Sequence, residues 1–127
     1  MNNEEQQTVF DVIGNTGFEC LVSAFYRRIP NDPILGPLYP DQDFAGAEQR
    51  LRDFLLFRFG GPADYIERRG HPALRMRHAP FAITRAVRDR WVELMEAALL
   101  EARLPQNAAR ELKQFFDEAA TFLINRG

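Results

Sequence analysis

The chain has little from which to build a disulfide framework or a cysteine-based metal site. Cys20 is the only cysteine among 127 residues, so an internal disulfide and a Cys-x-x-Cys motif are both excluded. No apolar run approaches the roughly 18 to 20 residues of a membrane-spanning helix. The acidic, polar N-terminus lacks the basic and apolar character of a secretory signal. We therefore expect a cytoplasmic protein that does not enter a membrane.

The chain also lacks a strong excess of either charge. Its formal net charge of −2 argues against general affinity for nucleic acid or anionic membranes. This average hides one asymmetry, because residues 68–88 contain both histidines and six arginines but no carboxylate. The stretch therefore predicts a local anion site. Its arginines are Arg68, Arg69, Arg75, Arg77, Arg85 and Arg88.

No segment shows the alternation of apolar and polar residues that is typical of a half-buried strand. Apolar residues instead recur every three or four positions in four segments, which is the spacing of one helix face. Thr16 and Thr84 are the predicted N-terminal caps of the first and third of these helices. The pattern predicts a single all-α domain over residues 1–127. The four stripes cover 18–29, 47–58, 87–99 and 112–123.

Two stretches interrupt this helical pattern. Residues 31–43 contain three prolines and one glycine, which predicts a corner with only short turns of helix. Residues 60–80 begin with Gly60-Gly61-Pro62 and hold both histidines and four of the arginines. Because a long irregular connection within a compact domain is usually either functional or disordered, this composition favours a functional segment.

His78 is the first candidate for a chemical role. A neutral imidazole is a common axial ligand of haem iron, and His78 has Arg77 before it and the apolar Met76 and Phe81 nearby. Haem carries two carboxylates, which Arg77 and Arg75 could pair with through charge-assisted hydrogen bonds. Eleven phenylalanines would also suit a core around a large, flat, apolar group. These features favour haem, although packing or capping would explain each residue taken alone.

Several longer motifs recur in order along the chain. They are Asp32-Pro33, Leu38-Tyr39-Pro40, Ala45-Gly46-Ala47-Glu48 with Leu51, Gly60-Gly61-Pro62, Arg69-Gly70-His71-Pro72, Leu74-Arg75-Met76-Arg77-His78-Ala79-Pro80-Phe81, and Arg88-Asp89 with Trp91. Together these motifs resemble those of a known family, the truncated haemoglobins, and within it the second of the usual three groups. The resemblance runs from about residue 18 to residue 125, and it implies a globin-like fold, a truncated 2-on-2 helical sandwich around haem b.

The resemblance also implies roles for individual residues. His78 corresponds to the proximal ligand of a five-coordinate iron, and Arg77 to a residue that pairs with a haem propionate. Tyr26, Tyr39 and Trp91 correspond to distal positions that donate hydrogen bonds to a gas ligand. Further residues expected to line the haem pocket are Arg75, Ala47, Leu51, Phe54, Met76 and Phe81, together with Tyr39 and Trp91.

The expected function is the binding of O2 and other diatomic ligands. Ala47 corresponds to a distal-helix position but carries no hydrogen-bond donor, so ligand stabilisation would rest on the two phenols and the indole. Each such bond could contribute about 1 to 3 kcal/mol, which predicts high affinity and slow release. A haem-dependent redox enzyme that oxidises nitric oxide or reduces peroxide is the alternative. A reductase partner and the choice between monomer and homodimer stay open.

Two more expectations follow from the resemblance, and one interpretation competes with it. His71, between Gly70 and Pro72, is expected to be a turn residue of the proximal loop and not an iron ligand. Many family members have paired glycines between their first two helices, whereas this chain reads Ile13-Gly14-Asn15, with a second glycine only at Gly17. Because asparagine tolerates a left-handed conformation better than most residues, the turn is expected to be kept. The competing interpretation is a cofactor-free helical module that uses the arginine-rich stretch to hold an acidic protein or nucleic acid.

Overall fold

The structure is a computed structural model, and it describes residues 7–62 and 68–126. Within those ranges the regular elements are all helical, so the predicted all-α class is confirmed. None of the helices in this part of the chain is long and apolar enough to cross a membrane. The α-helices are α1 (Val9–Arg27), α2 (Phe44–Arg58), α3 (Leu74–His78), α4 (Arg85–Ala102) and α5 (Gln106–Phe122).

Helix α1 begins earlier than its apolar stripe predicts. The Thr8 side chain accepts a hydrogen bond from the Asp11 N–H, and the Asp11 carboxylate accepts one from the Thr8 N–H, which forms a capping box. The helix is broken internally at Gly14, whose φ of 66° and ψ of −176° are not helical. Gly14, and not Asn15, therefore supplies the positive φ of this turn. The predicted cap, Thr16, lies inside α1 just after the break.

The helices form two layers around one core. Helix α1 packs against α2 and α4, and α4 packs against α5, so one helix pair faces the other as the 2-on-2 sandwich requires. Phe18, Leu21 and Phe25 of α1 are completely buried between the layers. These residues belong to the predicted stripe of α1, which shows that the apolar spacing placed the core correctly.

The corner at residues 31–43 is confirmed as two short 3-10 helices, Gly36–Leu38 and Pro40–Gln42. Pro37 and Pro40 each lie in the first turn of one of them, where a missing N–H costs no hydrogen bond. This corner carries Tyr39 between the two turns. Its position therefore decides where the Tyr39 side chain lies.

A buried carboxylate holds the corner against α4. Asp32 is only 4% exposed, and its Oδ2 accepts hydrogen bonds from the N–H groups of Ile34 and Leu35 at 3.1 and 2.9 Å. Its Oδ1 accepts from Nε of Arg90 at 2.7 Å. Burial by itself would raise the pKa of Asp32, but these hydrogen bonds outweigh it and hold the pKa below its ordinary value.

The ends of the remaining helices follow local sequence signals. The Thr84 side chain accepts from the N–H of Val87 at 3.2 Å, so the predicted cap of α4 is confirmed. Helix α2 ends at Arg58, just before the Gly60-Gly61-Pro62 motif, and Gly60 has a φ of 97°. Helix α5 begins at Gln106, six residues before its predicted stripe, because its first turn, Gln106-Asn107-Ala108-Ala109, contains no large apolar residue that would extend the stripe.

Helix α3 differs from the others in length and packing. It has five residues and no buried side chain, and it packs closely against none of the other described helices. Residues 63–67 of the predicted irregular stretch lie outside the described residues. Residues 68–83, which include the rest of that stretch after residue 67, are held by hydrogen bonds from side chains, and we call them the proximal segment.

Candidate functional site

Two predicted distal residues, Tyr26 and Tyr39, meet in the structure. Tyr26 lies on α1 and is 8% exposed, while Tyr39 lies in the corner and is half-buried. Their hydroxyl oxygens are 3.4 Å apart and their rings meet edge to face at 5.8 Å. Burial raises the pKa of both phenols, and the neighbouring Tyr39 raises that of Tyr26 further. Both hydroxyls therefore stay protonated at neutral pH and can donate hydrogen bonds.

The third predicted distal residue, Trp91 of α4, joins the same aromatic cluster. Its ring lies 5.0 Å from that of Phe25 and 5.5 Å from that of Phe116. Phe25 also contacts the ring of Tyr26 at 5.1 Å, so it connects the indole to the two phenols. The half-buried indole N–H donates to no other residue in the described part of the chain. The structure thus places all three side chains in one aromatic cluster.

Helix α2 contributes an apolar face beside this cluster. Ala47, Leu51 and Phe54 lie at intervals of four and three residues, which places them on one side of the helix. Ala47 is buried, whereas Leu51 and Phe54 are half-buried and pack against the core. The ring of Phe54 contacts that of Phe115 at 6.2 Å. This face has no polar side chain at the three predicted positions, as the sequence indicates.

The start of α2 is fixed by a close contact between Asp43 and Gly46. The Asp43 side chain accepts a hydrogen bond from the Gly46 N–H at 3.0 Å and caps the helix. A β-carbon at residue 46 would lie 2.2 Å from Oδ2 of Asp43. Glycine is therefore required for this cap geometry, which positions Ala47 one residue later.

His78 is the last residue of α3, and its imidazole is oriented by its own helix. Nδ1 lies 2.7 Å from the carbonyl oxygen of Leu74, and because a carbonyl only accepts, Nδ1 carries the proton. In the neutral ring, Nε2 then presents a lone pair. The ring of Phe81 lies 6.3 Å away. The half-buried His78 is therefore prepared to bind a metal through Nε2.

The other histidine, His71, lies in a turn, and its backbone carbonyl accepts a hydrogen bond from Arg77. Its side chain is exposed, and Gly70 before it has a φ of 77°. Nη2 of Arg77 donates to the carbonyl oxygens of Arg69 and His71, both at 2.7 Å. Arg77 thus connects the turn to α3, and His71 has the turn position that the sequence predicts.

The predicted local anion site does not include all six arginines, because two carboxylates outside the stretch, Asp53 and Asp89, pair with four of them. Nε and Nη2 of Arg69 donate to the buried carboxylate of Asp53 at 3.0 and 2.8 Å, and Arg68 lies 3.6 Å from it. Asp89 pairs with two more, Arg88 at 3.1 Å and Arg85 at 3.7 Å. Charge counted along the sequence could not detect partners at residues 53 and 89.

The two remaining arginines are those expected to pair with haem carboxylates. Arg77 bonds only to backbone carbonyls, and the guanidinium carbon of Arg75 lies 5.1 Å over the ring of Phe122. Neither pairs with a carboxylate in the described part of the chain. Met76, a predicted pocket residue, is 72% exposed and lies outside the aromatic cluster.

Sequence reasoning missed Asn125, which lies just beyond α5. Its side-chain Nδ2 donates to the carbonyl oxygens of His78 and Phe81 at 3.2 and 3.0 Å, and its Oδ1 accepts from the Ile83 N–H at 2.9 Å. A lone polar residue after an apolar stripe carries no signal of such contacts. Only the fold, which brings residue 125 beside residue 78, reveals them.

Comparison with known proteins gives one consistent answer. Residues 8–125 match the model of the family described as bacterial-like globin. Among curated proteins, the chain is 38% identical over 90 residues to "Group 2 truncated hemoglobin YjbI" of Bacillus subtilis, covering 71% of this chain and 67% of that protein.

Solved structures agree. The haemoglobin of Chloroflexus aurantiacus superposes with a TM-score of 0.89 at 45% identity, covering 94% of this chain and 98% of that one. The group II truncated haemoglobin of Bacillus anthracis superposes with a TM-score of 0.89 at 32% identity, covering 94% of this chain and 92% of that one. The interpretation as a cofactor-free binding module is therefore wrong. The chain belongs to the bacterial-like globin family and is a haem-binding globin of the group II truncated haemoglobin type.

Proposed function

We propose that the chain binds haem b through His78 and binds O2 with high affinity and slow release. The observation that carries the proposal is the pair of phenols formed by the buried Tyr26 and the half-buried Tyr39, whose hydroxyl oxygens are 3.4 Å apart. Buried hydroxyls surrounded by apolar rings are donors in a region of low dielectric, where hydrogen bonds are strong. Slow release is the expected consequence for a gas ligand held there.

The residues present fit a haem. His78 has an oriented imidazole with Nε2 available, and Arg75 and Arg77 have no carboxylate partner among the described residues. Leu51 and Phe54 offer half-buried apolar surface that a flat ligand would cover. When bound, the haem would supply an iron that can bind a gas ligand.

The tyrosine pair leaves one hydroxyl proton available. When one hydroxyl donates to the other, the acceptor's own proton points elsewhere. The 3.4 Å separation of Tyr26 and Tyr39 is also long for an O–H···O bond, whose usual range is about 2.5 to 3.0 Å. The pair can therefore donate to a third atom without losing a strong bond of its own.

Trp91 supplies a further donor, since its indole N–H donates to no described residue. Ala47, on the facing helix, can neither donate nor accept through its side chain. The polar contribution to ligand binding is thus assigned to Tyr26, Tyr39 and Trp91. Each bond is expected to stabilise the bound state by about 1 to 3 kcal/mol.

The metal ligand is tested by a matched pair of histidine variants. His78→Ala should abolish the iron–histidine stretching band in the resonance Raman spectrum of the ferrous protein and weaken haem retention, because the only oriented imidazole is removed. His71→Ala should leave both unchanged, since the His71 side chain is exposed. A His78→Ala protein that keeps the band would overturn the assignment.

The distal donors are tested by stopped-flow measurement of O2 dissociation from Tyr26→Phe, Tyr39→Phe and Trp91→Phe. Loss of one bond of about 1 to 3 kcal/mol should speed dissociation by about fivefold to a hundredfold. Carbon monoxide, a weaker hydrogen-bond acceptor, serves as the control ligand and should dissociate at nearly the parent rate. Unchanged O2 dissociation in all three variants would contradict the proposal.

The proposal treats residues 1–127 as one globin domain that acts in the cytoplasm. Two observations support it. The family match covers residues 8–125, and Cys20 is free and exposed, which suits a reducing compartment.

A further inference from the structure

We propose that Asn125 is a positioning residue for the proximal imidazole, holding the backbone of His78 from beyond the end of α5. The inference rests on the proposed function, because it concerns the support of the expected iron ligand. Asn125 would act through the backbone of the proximal segment and not by contact with a ligand.

The Asn125 side chain uses both ends of its amide. Nδ2 donates to the carbonyl oxygens of His78 and Phe81 at 3.2 and 3.0 Å, and Oδ1 accepts from the Ile83 N–H at 2.9 Å. Two carbonyls on one side and an N–H on the other determine which end of the amide is the nitrogen. The backbone N–H of Asn125 also donates to the Ile83 carbonyl at 2.9 Å. A single residue therefore bonds along the whole length of residues 78–83.

Helix α3 needs support of this kind because it is short. The last four carbonyls of a helix have no partner within it, and in a five-residue helix these are nearly all of them. Extensive backbone contact with another described helix is also missing, although Arg75 lies over the ring of Phe122 of α5. Arg77 bonds to the turn that precedes α3, and Asn125 bonds to the chain that follows it. The position of His78 thus depends on polar contacts from two directions.

Asn125 connects His78 to the rigid part of the fold. Helix α5 ends at Phe122, three residues earlier, and it packs against α4. Phe116 of α5 contacts the ring of Trp91 at 5.5 Å. The same helix therefore supports the distal indole and, through Asn125, the proximal histidine. Groups that orient a metal ligand from behind typically change metal affinity by about 10- to 100-fold when they are removed.

Two substitutions distinguish the hydrogen bonds that the Asn125 amide donates from the hydrogen bonds of the side chain as a whole. Asn125→Asp has nearly the same shape but replaces both donors with an oxygen that faces two carbonyls, whereas Asn125→Ala removes all side-chain bonds. Asn107→Asp is the matched control, because Asn107 is exposed in the first turn of α5. The haem-loaded proteins are compared by the iron–histidine Raman band of the ferrous form and by the rate of haem transfer to excess apomyoglobin.

Both Asn125 variants should fold and bind haem, with a shifted or broadened iron–histidine band and haem transfer about tenfold faster. The Asn107→Asp protein should match the parent in both measurements. An unchanged band in both Asn125 variants would overturn the inference, even if their urea midpoints fell, because a purely structural role lowers stability without altering that bond. A parent protein without an iron–histidine band would overturn the proposed function and this inference together.

Discussion

Two regions of the molecule are stabilised by different interactions: one is the core around α1, and the other is the proximal segment. Phe18 and Phe25 of α1 are completely buried, and aromatic rings surround them at about 5 to 6 Å. No residue in positions 68–83 is fully buried. The segment is held by hydrogen bonds from Arg77, Asn125 and the Asp53–Arg69 pair, with the contact of Arg75 over the ring of Phe122 as an addition. One region is stabilised by apolar burial and the other by a few directional bonds.

This difference has a consequence for local stability. Apolar burial adds over many atoms, whereas each net hydrogen bond contributes only about 0.5 to 1.5 kcal/mol. The proximal segment should therefore open locally at much lower free energy than the core unfolds.

The largest expected effect in the core is that of Phe25→Ala. Removing this completely buried ring, which contacts Tyr26 and Trp91, should lower the free energy of unfolding by about 3 to 5 kcal/mol. Urea denaturation of the haem-free protein measures it. Phe122→Ala is the control, because Phe122 is 55% exposed, and its cost should stay near 1 kcal/mol. An equal decrease in the free energy of unfolding in the two variants would contradict the claim that apolar burial stabilises the core around α1.

A smaller effect is expected from Asp32→Asn, which weakens the contact between the corner and α4. Loss of the charge-assisted bonds to Arg90 should cost about 1.5 to 3 kcal/mol in urea denaturation. The control is Asp89→Asn, an exposed partner of Arg88, for which less than about 1 kcal/mol is expected. A negligible effect of Asp32→Asn would show that the corner is held by apolar packing alone.

The pH dependence of stability gives an independent measure of the same carboxylate. The pKa of Asp32 is lower in the folded chain than its ordinary value of 3.8, so the unfolded chain takes up a proton first as the pH falls. The stability that Asp32 contributes is therefore present above pH 3.8 and is lost as the pH falls through the folded pKa. Asp32→Asn should flatten this part of the acid denaturation curve.

The smallest effect is expected in the proximal segment. Asp53→Asn removes the charge that holds Arg69, and a loss of about 1 kcal/mol in local stability should raise the rate of tryptic cleavage after Arg68 or Arg69 about fivefold. Asp117→Asn, which breaks a partly exposed pair with Lys113, should leave that cleavage unchanged. An unaltered rate in Asp53→Asn would mean that other contacts hold this segment.

Sequence patterns predicted the parts of the molecule that depend on local spacing. The stripe beginning at Phe18 placed the core, Thr84 marked the start of α4, and the prolines marked the corner. Gly14 and Asn15 were the local exception, since both residue types tolerate positive φ and the sequence did not choose between them.

The polar contacts of the site could not be predicted in the same way. Asp53 and Arg69 are 16 residues apart, and Asn125 and His78 are 47 residues apart. Polar side chains have no periodicity that indicates which distant carbonyl or guanidinium they will meet. The positions of Tyr26, Tyr39 and Trp91 came from the family resemblance, because periodicity alone would assign Tyr26 and Trp91 to ordinary packing.

Gly14 and Gly17, at and just after the break in α1, are required for different reasons. The φ and ψ of Gly14 are close to the mirror image of an extended L-residue, and no atom lies within 4 Å of where its β-carbon would be. At Gly17, a β-carbon would lie 2.5 Å from Cβ of Ile13. The first glycine is required for its handedness and the second for its small volume. The backbone of position 14 thus has the handedness that a D-residue favours, while position 17 has no room for the methyl group of an L-alanine.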